Sequence, residues 1–323
     1  MAFPSSGATI RADLNILVSE AAAADGFFIG ADVMPPLGVD AKSGTYPKLQ
    51  IEGGELLSNL ATERSRGSSY GQVVRKWGTD TYDCVDRGLE EAVDDTDQKD
   101  LSRFFNYEAT AARLCLRNVK LAHEIRVAAE VINTTNYGAG TNSAVAYTVA
   151  NLATIDFAQD VIAAVERVNN NGAQANTVVL SSTVFARLAL STKLQTWIRG
   201  TVGGQLNTPV NASNLGASFR DFGIERVLVG RARYNAAKKG PTKSMSSVWG
   251  TTYVWVGQVN PGAMTPQDGG AGFTMYWNQE GGLWVTESYR DESKRSNMIR
   301  VRQNTAEKTV DGTAGTLITT QWS

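Results

Sequence analysis

The chain has 323 residues, of which 42% are hydrophobic and 20% charged, and this composition indicates a folded protein with a large core. The formal net charge of −1 argues against a dedicated nucleic-acid-binding protein, which normally carries a strongly basic balance. No apolar run approaches the roughly 20 residues that a membrane helix needs.

Residues 1–42 are predicted to form an N-terminal arm. The apolar run Leu14 to Val18 is short and interrupted, so it does not resemble a signal peptide, and synthesis in a reducing cytosol is expected. Cys84 and Cys115 are accordingly expected to be buried thiols rather than a disulfide or a metal site. Pro35 and Pro36 favour an extended course at the end of the arm, which has no evident partner within its own fold.

Residues 43–86 are predicted to form a long β-hairpin. Its first strand alternates around Thr45 to Ile51, and its return strand contains Val73, Val74, Trp77 and Tyr82. An isolated two-stranded hairpin is marginal in water, so this one is expected to lie on another surface. The candidate residues for contact with a neighbouring subunit are Arg64, Arg66, Lys76 and Trp77. The alternative is a flexible surface insertion.

Residues 87–150 are dominated by one predicted helix that runs from Gln98 to Asn133 without Pro or Gly. A stripe with 3,4 spacing predicts its buried face. The stripe consists of Phe104, Tyr107, Ala111, Leu114, Asn118, Leu121, Ile125, Ala128 and Ile132. His123 and Glu124 are expected on its polar flank. An ordinary core helix or a coiled coil between copies are the alternatives.

Residues 151–272 alternate between helix and strand and are predicted to form an α/β domain. The expected elements are a helix at Asp156 to Asn169, a strand at Asn176 to Leu180, a helix capped by Ser182 or Thr183 and running to about Leu190, a loop-rich region from Gly200 to Gly216, and strands at Ile224 to Gly230 and Val248 to Val256.

Residues 273–323 are predicted to return to the long helix as strands. Phe273 to Trp277 and Leu283 to Thr286 flank turn residues at Gln279 to Gly282 and suggest a hairpin. Ile299 to Gln303 and Leu317 to Thr320 suggest a second pair. These strands are expected to form the sheet against which the helix packs.

Catalytic chemistry is not indicated by any motif. The string Gly67 to Gly71 matches G-x-S-x-G but lacks the preceding buried strand and following helix of a nucleophile elbow. His123 is the single histidine, no phosphate-binding loop occurs, and the acids from Glu90 to Asp100 do not follow a calcium-loop pattern. No enzyme activity, cofactor or metal site is therefore predicted.

Basic residues suggest one weakly positive face that could contact DNA without sequence preference. Arg113, Arg117 and Lys120 are the candidates on the long helix. Arg290, Lys294, Arg295, Arg300 and Arg302 occur late in the chain. The alternative is that the late residues pair with Asp291 and Glu292.

The order of these segments resembles the major capsid proteins of tailed phages, which have the Hong Kong 97-like α+β fold. Local strings are also similar to that family. These are Asp32-Val33-Met34-Pro35-Pro36 and Ser43-Gly44-Thr45-Tyr46-Pro47-Lys48 at the junction of arm and loop, Trp77 to Leu89 leading into Glu91 to Asp97 before the helix, and Asp221-Phe222-Gly223-Ile224 before Val227-Leu228-Val229-Gly230.

The resemblance implies a structural subunit of a virion head that is assembled in the host cytoplasm. Residues 43–86 would overlap the adjacent subunit, the long helix would be the spine of a peripheral domain that includes 87–150 and 273–323, and residues 151–272 would be the axial domain. Implied partners are copies of the chain in hexamers and pentamers, scaffolding, portal and decoration proteins, and packaged DNA, with no membrane. An encapsulin-type shell protein and a soluble α/β enzyme are the alternatives.

Overall fold

The computed structural model describes residues 9–10, 14, 27–49, 62–64, 66–67, 69–70, 77–137, 141–142, 147–202, 209–237, 242–320 and 322. Within these ranges, two large β-sheets share one long helix, and there are two separate two-stranded ribbons, one of which projects from a large sheet. None of the helices in the described ranges is both long enough and apolar enough to span a membrane. The predicted α+β class is confirmed.

The strands are β1 (Thr9–Ile10), β2 (Pro36–Val39), β3 (Ser43–Leu49), β4 (Trp77–Asp83), β5 (Val85–Asp94), β6 (Thr141–Asn142), β7 (Thr177–Ser181), β8 (Arg226–Gly230), β9 (Arg233–Asn235), β10 (Met245–Ser247), β11 (Tyr253–Gly257), β12 (Gly272–Trp277), β13 (Val285–Asp291), β14 (Ser296–Thr309) and β15 (Gly315–Thr319). The α-helices are α1 (Gly30–Val33), α2 (Asp95–Leu101), α3 (Tyr107–Val131), α4 (Phe157–Asn170), α5 (Ser182–Leu188), α6 (Thr192–Val202) and α7 (Ala212–Phe219).

A six-stranded sheet is organised around β14, the longest strand. β5, β12 and β13 pair with β14 in antiparallel orientation, β2 runs parallel to β12, and β1 pairs with β13. The hairpin predicted across Gln279 to Gly282 is wrong. β12 and β13 instead pair with successive stretches of β14, as in Met275↔Ala306 and Thr286↔Val301.

A five-stranded sheet has the order β6-β15-β11-β7-β8 and a core formed with α4 to α7. The predicted pairing of Leu317 to Thr320 with Ile299 to Gln303 is wrong, because β15 crosses to this sheet and pairs with β11. Leu317 and Ile318 are both buried there. Helices α6 and α7 also occupy much of the region predicted to be loop, since Asn211 caps α7 by accepting from the Asn214 amide at 2.7 Å.

The long helix is shorter than predicted. Residues Ser102 to Asn106 separate α2 from α3, because Asn106 accepts a hydrogen bond from the Ala109 amide at 3.1 Å and so caps a new helix. Phe104, the first residue of the predicted stripe, lies in this break and is 79% exposed. The long helix of the structure is therefore α3 alone.

The predicted buried face of α3 is rotated from the observed one. Leu114 and Asn118 are exposed, whereas the buried residues are Ala111, Ala112, Cys115, Leu116, Val119, Lys120, His123, Glu124, Val127, Ala128 and Val131. Small side chains at Ala111, Ala112 and Cys115 allow α3 to approach the sheet at Val93, Ile299 and Val301. His123 and Glu124 were predicted on the polar flank, and this was wrong.

The apolar side chains of the two halves of α3 belong to different clusters. Its first half packs on β5 and β14 of the six-stranded sheet. Its second half, at Val127, Ala128 and Val131, shares a cluster with Trp255 and Leu317 of the five-stranded sheet. The helix is therefore the element that joins the two sheets.

Candidate functional site

The projecting ribbon of β3 and β4 is anchored at its root and exposed beyond it. Tyr46 and Cys84 are buried in a cluster with Phe273 and Met275 of β12 and Ala306 of β14. At the other end of the pairing, Trp77 faces Leu49 and is 56% exposed. A large aromatic side chain left in water at the end of an anchored ribbon is a typical contact residue.

Polar contacts also join the two strands of the ribbon and connect the ribbon to its surroundings. The Tyr46 hydroxyl donates to Asp80 Oδ2 at 3.2 Å, and Lys308 Nζ of β14 lies 3.5 Å from Asp80 Oδ1. Burial and the adjacent Asp80 charge raise the pKa of Tyr46, so this hydroxyl stays protonated. Gln267 also donates to the Pro47 carbonyl at 2.8 Å. The ribbon is thus held by directional bonds as well as by apolar packing.

The predicted contact residues fall in different places. Arg64 and Arg66 are exposed, and the Arg64 guanidinium lies 4.8 Å from the centre of the Tyr70 ring. Trp77 is exposed as described, whereas Lys76 lies outside the described residues. No metal-binding group of three or more His, Cys, Asp or Glu side chains is found in the described ranges.

The candidate DNA-facing residues on α3 do not share one face. Arg113 and Arg117 are exposed and one helical turn apart, with Leu114 beside them. Lys120 is only 8% exposed, and its ammonium lies 6.0 Å from the centre of the Phe28 ring. The exposed basic pair on α3 is therefore Arg113 and Arg117.

The late basic residues are mostly held in ion pairs, which agrees with the alternative of pairing. The partners extend beyond the predicted Asp291 and Glu292. Arg290 binds Asp95 at 2.6 Å and Glu292 at 3.3 Å, Lys294 lies 3.4 Å from Asp291, Arg300 binds Glu90 at 2.9 Å, and Arg302 binds Glu287 at 2.8 Å and also Glu280. Four of the five late basic residues are thus paired with acids, and Arg295 is exposed.

His123 is a structural residue in the interior. It is 3% exposed, and its Nε2 lies 3.1 Å from the Thr274 hydroxyl. Since that hydroxyl donates to the Met34 carbonyl at 3.0 Å, His123 Nε2 must carry the proton and donate. Burial lowers the pKa of His123 to about 4, so the ring is neutral at physiological pH.

Cys84 and Cys115 are both buried free thiols, as predicted. Burial raises the pKa of each to about 11. Because the thiolate is the reactive form, the raised pKa disfavours reaction of either side chain at neutral pH.

Solved structures match almost the whole chain. A phage-related protein from Bordetella bronchiseptica RB50 has a TM-score of 0.72 and 22% identity, covering 97% of this chain and 98% of its own. The capsid protein of cyanophage P-SCSP1u has a TM-score of 0.60 and 13% identity, covering 92% and 89%. The chain has the Hong Kong 97-like capsid fold.

A more distant structure shares this capsid fold. A virus-like particle from Pyrococcus furiosus matches with a TM-score of 0.52 and 8% identity, covering 94% of this chain and 97% of its own. No family model and no curated protein matches the sequence. The capsid fold is thus evident from the arrangement of elements, as the sequence resemblance implied.

One polar centre of this capsid fold was missed from the sequence. Glu124 is 1% exposed, and its carboxylate accepts from the Ile29 amide at 3.2 Å, the Gly30 amide at 2.6 Å and the Trp249 indole at 2.6 Å. It joins α3 to the N-terminal segment, so residues 29–39 belong to the fold and are not a free arm. A second 3,4 series through Leu116, Val119, His123 and Val127 is the signal that could have placed this face inside.

Proposed function

We propose that the chain is the structural subunit of a tailed-phage head, which assembles through hexamers and pentamers into an icosahedral shell around double-stranded DNA. The observation that carries the proposal is the match to the cyanophage capsid protein over 92% of this chain. A closed shell needs many moderate contacts per subunit, and their combined strength comes from multivalency. The subunit acts in the virion, after assembly in the host cytoplasm, and it performs no catalysis.

The projecting ribbon supplies the contact between neighbours in this proposal. Its root is buried against the six-stranded sheet of its own subunit, whereas Arg64, Arg66 and Trp77 are exposed. These side chains, together with Lys76, would lie on the adjacent subunit. A two-stranded ribbon is marginal alone, so a neighbouring surface would complete its packing.

The predicted domains take the following roles in the proposal. Residues 1–42 form the arm and its docking segment, 43–86 the extended loop, 87–150 with 273–323 the peripheral domain, and 151–272 the axial domain. β15 belongs to the five-stranded sheet, so the last segment contributes to both domains. Scaffolding, portal and decoration proteins would bind the assembled particle, and Arg113 and Arg117 would face the DNA.

Electron microscopy of the purified full-length chain tests the proposal. We expect capsomers or closed shells rather than monomers, and monodisperse monomers at high concentration over several salt conditions would contradict it. The match to a virus-like particle from Pyrococcus furiosus supports a shell subunit in general, and an encapsulin-type shell is the second candidate. If particles purified from cells enclose a specific enzyme and no DNA, that candidate would be favoured over a phage head.

A further inference from the structure

The middle of α3 is the place where the two sheets and the N-terminal segment meet. Apolar side chains before it pack on β5 and β14, and apolar side chains after it join a cluster with β11 and β15, while Arg126 and Glu130 also bind β14. Glu124 lies between these two contact regions and is one of the few ionisable side chains that are almost fully buried. Contacts made by Glu124 can therefore influence the orientation of the two sheets relative to each other.

The three donors to Glu124 come from both sides of this junction. Ile29 precedes α1 and Gly30 is its first residue, and α1 leads into β2 of the six-stranded sheet. Trp249 follows β10, and its indole ring stands against Gly230 at the end of β8 in the five-stranded sheet. Glu124 therefore binds one segment that leads into the six-stranded sheet and one residue that packs on the five-stranded sheet.

This arrangement is better suited to fixing geometry than to adding stability. Burying a carboxylate is unfavourable, and neutral N–H donors offset that cost only when their geometry is good. Hydrogen bonds weaken steeply when they bend, whereas apolar contacts tolerate sliding. Gly30 shows how close the fit is, because a Cβ atom there would lie 2.7 Å from Glu124 Oε2.

A small rotation at this junction would be amplified across the subunit. The 25 residues of α3 span about 37 Å at 1.5 Å per residue, so a tilt of a few degrees moves its ends by ångströms. In a closed shell, the angle between neighbouring subunits sets the curvature. Lateral contacts carried by different sheets would shift relative to each other.

We propose that Glu124 is a positioning residue which fixes the relative orientation of the two sheets, and thereby the diameter of the assembled shell. This inference rests on the proposed function, since diameter has meaning only for a shell. The buried carboxylate of Glu124 then sets the particle size, while the projecting ribbon makes the contacts between neighbouring subunits.

Two variants and one matched control test the inference in the full-length chain. Trp249→Phe removes a single donor and keeps the ring against Gly230, and Glu124→Gln keeps the size of the side chain but places an amide NH₂ among donors. Glu130→Gln is the control, because Glu130 also lies on α3 but contacts one sheet only. Among the described residues, its side chain accepts one hydrogen bond, from the Thr309 amide of the six-stranded sheet at 3.1 Å. Particle diameters are measured by cryo-electron microscopy, and folding by circular dichroism and thermal melting.

We expect folded Trp249→Phe and Glu124→Gln chains to give a shifted diameter, a second size class or no closure, while Glu130→Gln keeps the single wild-type diameter. In Glu124→Gln, the amides of Ile29 and Gly30 should exchange hydrogen about tenfold faster, as expected when an ordinary hydrogen bond is lost. An unchanged single diameter in both folded variants overturns the inference, and so does failure of both to fold, which would make the junction only a stability element. Absence of shells from the wild-type chain would instead reject the proposed function.

Discussion

Arg126 on α3 and Glu307 on β14 form a two-pronged ion pair in which both nitrogen–oxygen distances are 3.0 Å. The Glu307 side chain is 6% exposed, and Thr305 donates to the same carboxylate at 2.9 Å. Burial works to raise the pKa of Glu307, but the hydrogen bonds and charge of Arg126 lower it below the ordinary value. The pair therefore clamps the spine helix to the central strand of the six-stranded sheet.

Removing Arg126 should leave a buried carboxylate without its cation. We expect Arg126→Met to lower the free energy of unfolding by about 3 kcal/mol, the usual size for breaking a buried pair from one side. Urea denaturation measures the change, and Arg113→Met on the exposed side of α3 is the control. The double variant with Glu307→Gln should recover part of the loss, so strictly additive effects would contradict the clamp.

Because of His123, the folded chain should become less stable as the pH is lowered. Burial lowers the pKa of His123 from 6.5 to about 4, so the folded chain favours the neutral ring. The contribution of this residue to the free energy of unfolding is complete above pH 6.5 and is lost as the pH falls toward 4. At pH 5 the loss is about 2 kcal/mol relative to pH 7. Thermal or urea unfolding of wild type and His123→Gln at each pH measures it.

The comparison with His123→Gln isolates this contribution from that of Glu124. Burial raises the pKa of Glu124, so the folded chain binds that proton more readily and gains stability on acidification. This opposite effect is present in both proteins and cancels in their difference. Parallel stability curves for the two proteins between pH 7 and 5 would be inconsistent with a neutral buried ring.

Gly30→Ala should disturb the contact between the N-terminal segment and Glu124. The added Cβ would lie 2.7 Å from Glu124 Oε2, and the carboxylate cannot move away without losing its other donors. We expect a loss of about 2 kcal/mol, typical of overpacking a tight interior. Gly216→Ala in α7 is the control, because its Cβ would have an ordinary 3.7 Å contact with Val227 and should be neutral or stabilising.

Reversing the charges of the exposed basic pair on α3 should weaken contact with DNA without affecting folding. For Arg113→Glu with Arg117→Glu, the slope of log affinity against log salt should fall by roughly 2, one unit for each lost phosphate contact. Fluorescence anisotropy with duplex DNA measures the slope, with Lys193→Glu on α6 as the control. A slope equal to that of the wild type would remove these arginines from the proposed DNA-facing surface.

Shortening the projecting ribbon should separate folding from assembly. Deletion of Gly53 to Gly71 retains the root, including Tyr46 and Cys84, and leaves enough chain to connect β3 with β4. We expect a subunit with near wild-type melting behaviour that forms few shells by electron microscopy. Normal shells from this variant would show that the distal part of the ribbon makes no essential contact.

Local chemistry in the sequence was sufficient for several elements. Alternation and β-branched residues predicted the strands of the projecting ribbon, and the helix from Phe157 to Asn170 begins at Asp156, which accepts from the Gln159 amide at 3.2 Å. The predicted cap of the next helix, Ser182 or Thr183, was wrong, since Ser181 accepts from the Val184 amide. Strand alternation and helix caps could be predicted from the sequence because they depend only on residues that are close together in the chain.

The sequence by itself determined the α+β class and the positions of most strands. Only the tertiary structure decided which face of α3 is buried, because two stripes with the same 3,4 spacing run along this helix and periodicity does not choose between them. It also decided that β15 joins β11 rather than β14, since strand pairing is a long-range choice made by burial. For the same reason the role of Glu124 became visible only in three dimensions, where its donors, distant in sequence, come together.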